Sequence, residues 1–279
     1  MNEERQRIET ETEREKNSVT SLSPSLPEVA LARAALYSAL ALGFRRPTEE
    51  TVTRLASEKN LPALLQAVSF FDRDGAAELA SAARGLAAAK SCSFTALVEQ
   101  FDHLFGHTAR GSIPPYETEY GTEALFQQPQ EMGDLMGFYG AFGLKLNAQE
   151  HERPDHISCE CEFVSFLALK EAYALETQET AILEETRKAT RLFFRDHLGP
   201  FAPAFTTKLK QQTGARFYGA LADLCYRLVT SDCARFGVPY GPQSLSLRPA
   251  TADRVPMACG TGADCVAMPG AAEPEELDE

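Results

Sequence analysis

From Leu26 to Phe236 the chain reads as one helix-length amphipathic segment after another, and that succession confines it to an all-α fold. Pro27 fits a first helical position, and Val29, Leu31, Ala35, Leu36 and Leu40 keep helical spacing until Arg46-Pro47. Thr48 can cap a short helix carrying Val52 and Leu55, Leu61–Phe71 forms another, and Asp74 can cap an Ala-rich one. Ser93 caps FTALVEQFDHLF, whose Phe94, Leu97, Phe101, Leu104 and Phe105 make an apolar stripe. Pro129 starts a helix through Phe142 with Gly143 as its stop, and Pro154 starts one through ISCECEFVSFLALKEAYALE. Thr177–Leu198 follows, closed by Gly199-Pro200, and residues 201–213 and 216–236 complete the series. The expectation is a single-domain bundle of about ten helices over 27–237. Before it lies a charged, disordered extension, 1–26, and after it an irregular Cys/Gly/Pro-containing acidic tail, 238–279.

Charge narrows the partners. Forty acidic against 27 basic side chains leave a formal net charge of −13, which disfavours nucleic acid and anionic membrane and suits a basic partner. Residues 1–16 alternate Glu with Arg and lack an apolar stretch, so they do not read as a secretory signal. No apolar run approaches the roughly 20 residues that cross a bilayer, so no stable membrane insertion is expected. Seven Cys without an export signal read as reduced thiols of a cytoplasmic protein.

Two constellations interrupt the helical rhythm. The first is the loop Ile113-Pro114-Pro115-Tyr116-Glu117-Thr118-Glu119-Tyr120-Gly121. Its prolines stiffen the backbone, holding Tyr116 and Tyr120 beside Glu117 and Glu119, a surface suited to an apolar and cationic peptide. It reads equally as a lid over the core. The second is Glu152-Arg153-Pro154-Asp155-His156-Ile157-Ser158-Cys159-Glu160-Cys161-Glu162-Phe163. Asp155 is expected in the first helical turn, where its charge suits the helix dipole. His156 and Glu160 are four apart, with Phe163 and Leu167 on the same stripe. That pairing fixes one imidazole tautomer or favours the imidazolium, or it simply pins the helix to the loop.

Metal binding is the alternative. His151, Asp155, His156 and Glu160 offer N/O ligands, yet no Glu-x-x-His occurs, and His103 and His107 lack the Glu of a His-Glu-x-x-His motif. Cys159 and Cys161 point about 200° apart on a helix. Cys225 and Cys233 read as small core residues. Cys259 and Cys265, in ACGTGADC, supply half a zinc site or a disulfide. No nucleophile elbow or Cys–His pairing stands out, so no catalytic residues are assigned.

FDHLFG, PPYETEYG, LMGFYGAFGL and ERPDHISCECEFVSFLALKEA occur in that order, and together they resemble the TorD/DmsD/NarJ family of chaperones dedicated to molybdenum enzymes. The resemblance covers roughly Pro27 to Phe236. It implies an all-helical cytoplasmic protein without catalytic activity or cofactor of its own. Such a protein binds the twin-arginine signal peptide or N-terminal region of one partner oxidoreductase until its bis-molybdopterin guanine dinucleotide is inserted. Tyr116, Glu117 and Tyr120 correspond to the family's loop motif, Asp155 and His156 to its Asp-His pair, and Glu160 and Phe163 to the following Glu and aromatic. Cys161 stands where Leu is usual, and Glu119 where an uncharged residue is frequent.

Physical chemistry points the same way. Glu117, Glu119, Asp155 and Glu160 would attract arginines, while Tyr116, Tyr120, Phe138 and Phe163 would accept an apolar stretch, all lining one groove with His156. A monomer or a helix-exchanged dimer fits this reading. The contrasting one is a metal-binding helical protein or metal-dependent enzyme using His151, His156 and Glu160. A third is a structural adaptor with no peptide groove.

Overall fold

The computed structural model describes residues 25–57, 60–71, 76–87, 92–106, 111–122, 127–147, 152–214 and 216–248. Helices run in the order α1 (Leu26–Phe44), α2 (Glu49–Ala56), α3 (Asn60–Phe71), α4 (Ala76–Gly85), α5 (Phe94–Phe105), α6 (Gln127–Ala141), α7 (Ile157–Glu176), α8 (Thr180–Phe193), α9 (Gly199–Thr213) and α10 (Phe217–Phe236). Among the described residues there is no β-strand, only the isolated bridges Tyr116–His156 and Tyr120–Leu247. Caps mark several helix starts. Ser25 and Glu28 form a reciprocal capping box on α1, Thr48 accepts from the Thr51 N–H, and Ser93 accepts from the Ala96 N–H.

α1 is the central element. Its nineteen residues are long and apolar enough to cross a membrane, which corrects the expectation that no run comes close. In the fold most of that surface is core: Ala30, Ala32, Ala34, Leu36, Tyr37, Leu40 and Phe44 are all buried, while Leu31 faces outward. α7 runs antiparallel beside it, with Arg33 meeting Glu171 near one end and Arg45 meeting Glu162 near the other. On another side α10 packs close to α1, where a Cβ on Gly43 would lie 2.6 Å from a Leu221 methyl.

One charge sits inside this core. Arg33 is fully buried and donates to Asp232 of α10 at 2.9 Å and to Glu171 of α7 at 2.8 Å. Paired burial makes the cost of desolvating each ion tolerable only while both partners stay. The network therefore ties α1, α7 and α10 to one another.

Gly199-Pro200 does not stop the helix as the sequence suggests. A π-helical turn, Phe194–Leu198, joins α8 to α9 without a break. The wider turn removes the register in which Pro200 would clash. A side chain on Gly199 would put its Cβ 2.1 Å from the Phe194 carbonyl oxygen, so only glycine fits.

The compact unit extends to Arg248 rather than ending at Gly237. Composition groups 238–248 with the tail, but this strap packs back on the Pro-Tyr loop: Gly121 N–H donates to Ser246 and Arg248 N–H to Glu119. Asp74, His107, His151, Cys259 and Cys265, and the two proposed disordered extensions apart from their ends at Ser25-Leu26 and 238–248, lie outside the described residues.

Asp232→Ala leaves Arg33 with half its counter-charge in a dry interior. It is expected to destabilise the protein by about 3–5 kcal/mol. Urea denaturation checks this, and a loss below about 1 kcal/mol contradicts it.

Candidate functional site

The Pro-Pro-Tyr loop and the leader of α7 meet, as the sequence reading requires. Glu117 N–H donates to the Asp155 carbonyl at 2.9 Å and Ile157 N–H to the Pro115 carbonyl at 2.8 Å. Side chains lock the junction. Asp155 is fully buried and accepts the Thr118 hydroxyl at 2.7 Å and the Arg153 guanidinium at 3.0 and 2.7 Å. Arg153 also lies over the Tyr116 ring, 4.3 Å from its centroid. Tyr139 and Tyr120 hydroxyls donate to the carbonyls of Pro154 and Pro114.

Asp155 precedes the helix instead of entering its first turn. His156 is the N-cap, and its Nδ1 accepts the Ser158 N–H at 3.0 Å with the Ser158 hydroxyl at 2.6 Å. That use of Nδ1 requires a neutral ring with its proton on Nε2. Burial, then the Arg45 and Arg153 charges, push the His156 pKa down to about 3, so the imidazolium that the sequence allowed is not favoured. His156 also gives up Nδ1 as a metal donor, and the Nε2 side faces Glu152 Oε2 at 3.8 Å. Among the described residues no group of three or more Asp, Glu, His or Cys converges as a metal site.

A buried acidic cluster lies behind this junction. Both Glu117 oxygens sit 3.3 Å from His197 Nδ1, a residue of the π turn. Glu160 is fully buried, and desolvation, reinforced by Glu117 and Asp155, holds its carboxyl well above the usual range. Desolvation likewise raises Glu117, against the pull of His197. Glu160 therefore favours its neutral acid form. Sequence reasoning missed His197; a histidine between Phe194 and Leu198 on an apolar stripe was the available signal.

The expectation that all the candidate side chains line one open groove needs correction. Asp155, His156 and Glu160 are essentially inaccessible, Tyr120 and Phe163 are buried, and Glu117 is only 9% exposed. Asp155, His156 and Glu117 have polar atoms met within the junction and Glu160 favours its neutral form there, so they are not a free acidic surface. Tyr116, Glu119 and Phe138 remain half-buried. Glu119 lies 3.5 Å from Arg153, and Phe138 packs edge-on against Phe163, Phe193 and His197.

An open cleft of about 360 Å³ lies on the outer side of the same wall, between the α6–α7 connection, the end of α1 and the first turns of α7. Phe163, Phe166, Leu144, Leu146 and Tyr139 form its floor, and Glu152 and Glu162 stand at its lip with Arg45 and Lys145. Glu152 also hydrogen-bonds Tyr116, which rests edge-on against His156 at 5.2 Å. The loop and Asp-His leader thus build the wall behind the cleft and, among the described residues, reach its lining through Glu152.

The family model described as nitrate reductase delta subunit matches residues 71–207. A perchlorate reductase assembly chaperone protein of Dechloromonas aromatica (strain RCB) is 30% identical over 203 residues, covering 72% of this chain and 88% of its own. A selenate reductase assembly chaperone protein of Thauera selenatis is 32% identical over 154 residues, 47% of this chain and 78% of its own. Chaperone protein TorD of Vibrio cholerae (strain El Tor Inaba N16961) is 28% identical over 138 residues, 49% of this chain and 60% of its own. The similarity, which spans 88% of the perchlorate relative's length, places the chain among assembly chaperones rather than enzymes. The chain belongs to the TorD/NarJ family of redox-enzyme assembly chaperones.

Linkage gives the sign of the pH dependence. Glu160 keeps a proton in the folded state that the unfolded chain sheds, so its contribution is lost as pH rises through its raised folded pKa. His156 acts oppositely, costing stability as pH falls from about 6.5 towards 3. The His156 contribution is common to wild type and Glu160→Gln, so it cancels when the two are compared. As pH rises above the ordinary carboxylate range the denaturation midpoint of the wild type should fall relative to that of Glu160→Gln; a constant difference would contradict the assignment.

Proposed function

We propose that the chain binds the twin-arginine signal peptide or N-terminal region of the catalytic subunit of a molybdenum oxidoreductase in the cytoplasm. It holds that segment until the client has received its bis-molybdopterin guanine dinucleotide. The chaperone holds no cofactor itself in this scheme. Relatives named for perchlorate and selenate reductase assembly support a client of the reductase kind.

The observation that carries the reading is the cleft beside the α7 leader, which joins an aromatic floor to carboxylates at its lip. An apolar stretch of the client seats on Phe166, Leu144 and Leu146, which are only partly buried, so covering them supplies affinity. Its arginines meet Glu152 and Glu162, whose charges steer encounter and select orientation. Glu162 already pairs with Arg45, with side-chain exposures of 60% and 31%, so an incoming arginine exchanges one solvated pair for another at little cost. Asp155, His156, Glu117 and Glu160 act from behind by fixing the wall, which limits the entropy lost on binding.

The test uses a client's N-terminal peptide and isothermal titration calorimetry. Glu152→Lys with Glu162→Lys should weaken binding at least tenfold and flatten its salt dependence, and Phe166→Ser should weaken it with the salt dependence kept. Unchanged affinity in both variants, with helicity intact by circular dichroism, removes this cleft as the binding surface.

A further inference from the structure

On a different face of this acidic chain, positive charge gathers around a concavity. α8 sets Arg187, Lys188 and Arg191 on one side, and the last turn of α10 sets Arg235 and Phe236 on the other. The space between them is about 410 Å³. Arg33 lies beneath, its guanidinium 5.1 Å from the Phe236 ring centroid.

The carboxylates nearby are already shared. Glu171 is buried and accepts from Arg33 and Arg187 at 2.8 Å and meets Arg235 at 3.5 Å. Asp232 is committed to Arg33, and Glu185 stands 3.8 Å from Lys188. Arg191 meets no carboxylate among the described residues; its Nε donates to the Phe236 carbonyl at 3.3 Å. Five cations therefore face three carboxylates, in a chain whose net charge is −13. Capping the end of α10 explains one of these cations, since a single side chain satisfies that carbonyl. It leaves the others unexplained. Burial, then the Arg33 charge, draws the Arg235 pKa below its ordinary value against the pull of Glu171 and Asp232.

We infer that this concavity is a binding site for a compact polyanion of the diphosphate type. Guanidinium forks match phosphate oxygens two at a time, and several converging forks suit a group with adjoining charges. Size selects the ligand as well. Charges are screened beyond about 8 Å at physiological salt, so a small anion feels the local cations alone. An acidic protein would also meet the negative surface around them. Phe236 offers no stacking platform, because Phe194 stacks at 6.0 Å and 19° and Arg33 lies over the ring. The site therefore reads phosphate and not a nucleobase. This inference does not rest on the client-binding proposal.

The probe is inorganic pyrophosphate, titrated by calorimetry into the full chain at about 0.15 M salt. Saturable binding should weaken at least tenfold in the double variant K188Q/R191Q, whose two side chains are solvent-facing, and stay within twofold in the charge control R84Q. A nucleoside diphosphate should bind with an affinity close to that of pyrophosphate. The inference is overturned by absence of saturable binding, by equal loss in R84Q, or by binding of the nucleoside diphosphate or a Glu-rich peptide where pyrophosphate does not bind.

Discussion

The carboxylate of Asp155 is the hinge pin of the candidate site. It takes the Thr118 hydroxyl from the loop and the Arg153 guanidinium from its own segment, while the backbone on either side pairs with Pro115 and Glu117. A buried carboxylate left without these donors would be expensive, so loop and leader have one arrangement in which its charge is met. Everything else near the site follows. Tyr116 lies against Arg153 and His156, His156 caps α7, and Glu152 is set between Tyr116 and the cleft.

α7 carries that arrangement into the body of the protein. Its cap and first turn hold His156 and Glu160 in the junction, its second and third turns bring Phe163 and Phe166 to the cleft, and its fourth places Glu171 beside Arg33. One helix thus anchors the recognition wall to the buried charge network of the core. On the far side the strap clamps the loop again, with Arg248 held by both Glu131 oxygens at 2.9 and 3.0 Å. A wall fixed from two directions would limit the entropy lost on holding the proposed client segment.

Much of this was legible before any coordinates. Local signals carried the helices: Ser93 and Thr48 are N-caps, and Gly143 ends α6 with φ 72°, since these depend on neighbours in sequence. The meeting of the loop with the α7 leader was legible as well, through motif order. What failed was the inference from a charged side chain to an exposed one. Asp155, Glu160 and Arg33 are charged types in or next to helices, and nothing local announces that partners from distant segments will bury them. Arg153, to which the sequence pattern assigns no role, occupies the very carboxylate expected to meet the client. The strap 238–248 was missed for the same reason, because its role lies in long-range hydrogen bonds rather than in any periodicity.

The central claim is that the client is gripped outside the wall and not within it. Hydrogen–deuterium exchange of the chaperone, with and without a client's N-terminal peptide, tests this most directly. The account predicts new protection over 144–147 and the first two turns of α7, with the amides of Glu117 and Ile157 already slow in the free protein. Fast exchange at Glu117 and Ile157 that slows only on binding, with 144–147 unaffected, would mean that the junction opens to admit the peptide, and would contradict it.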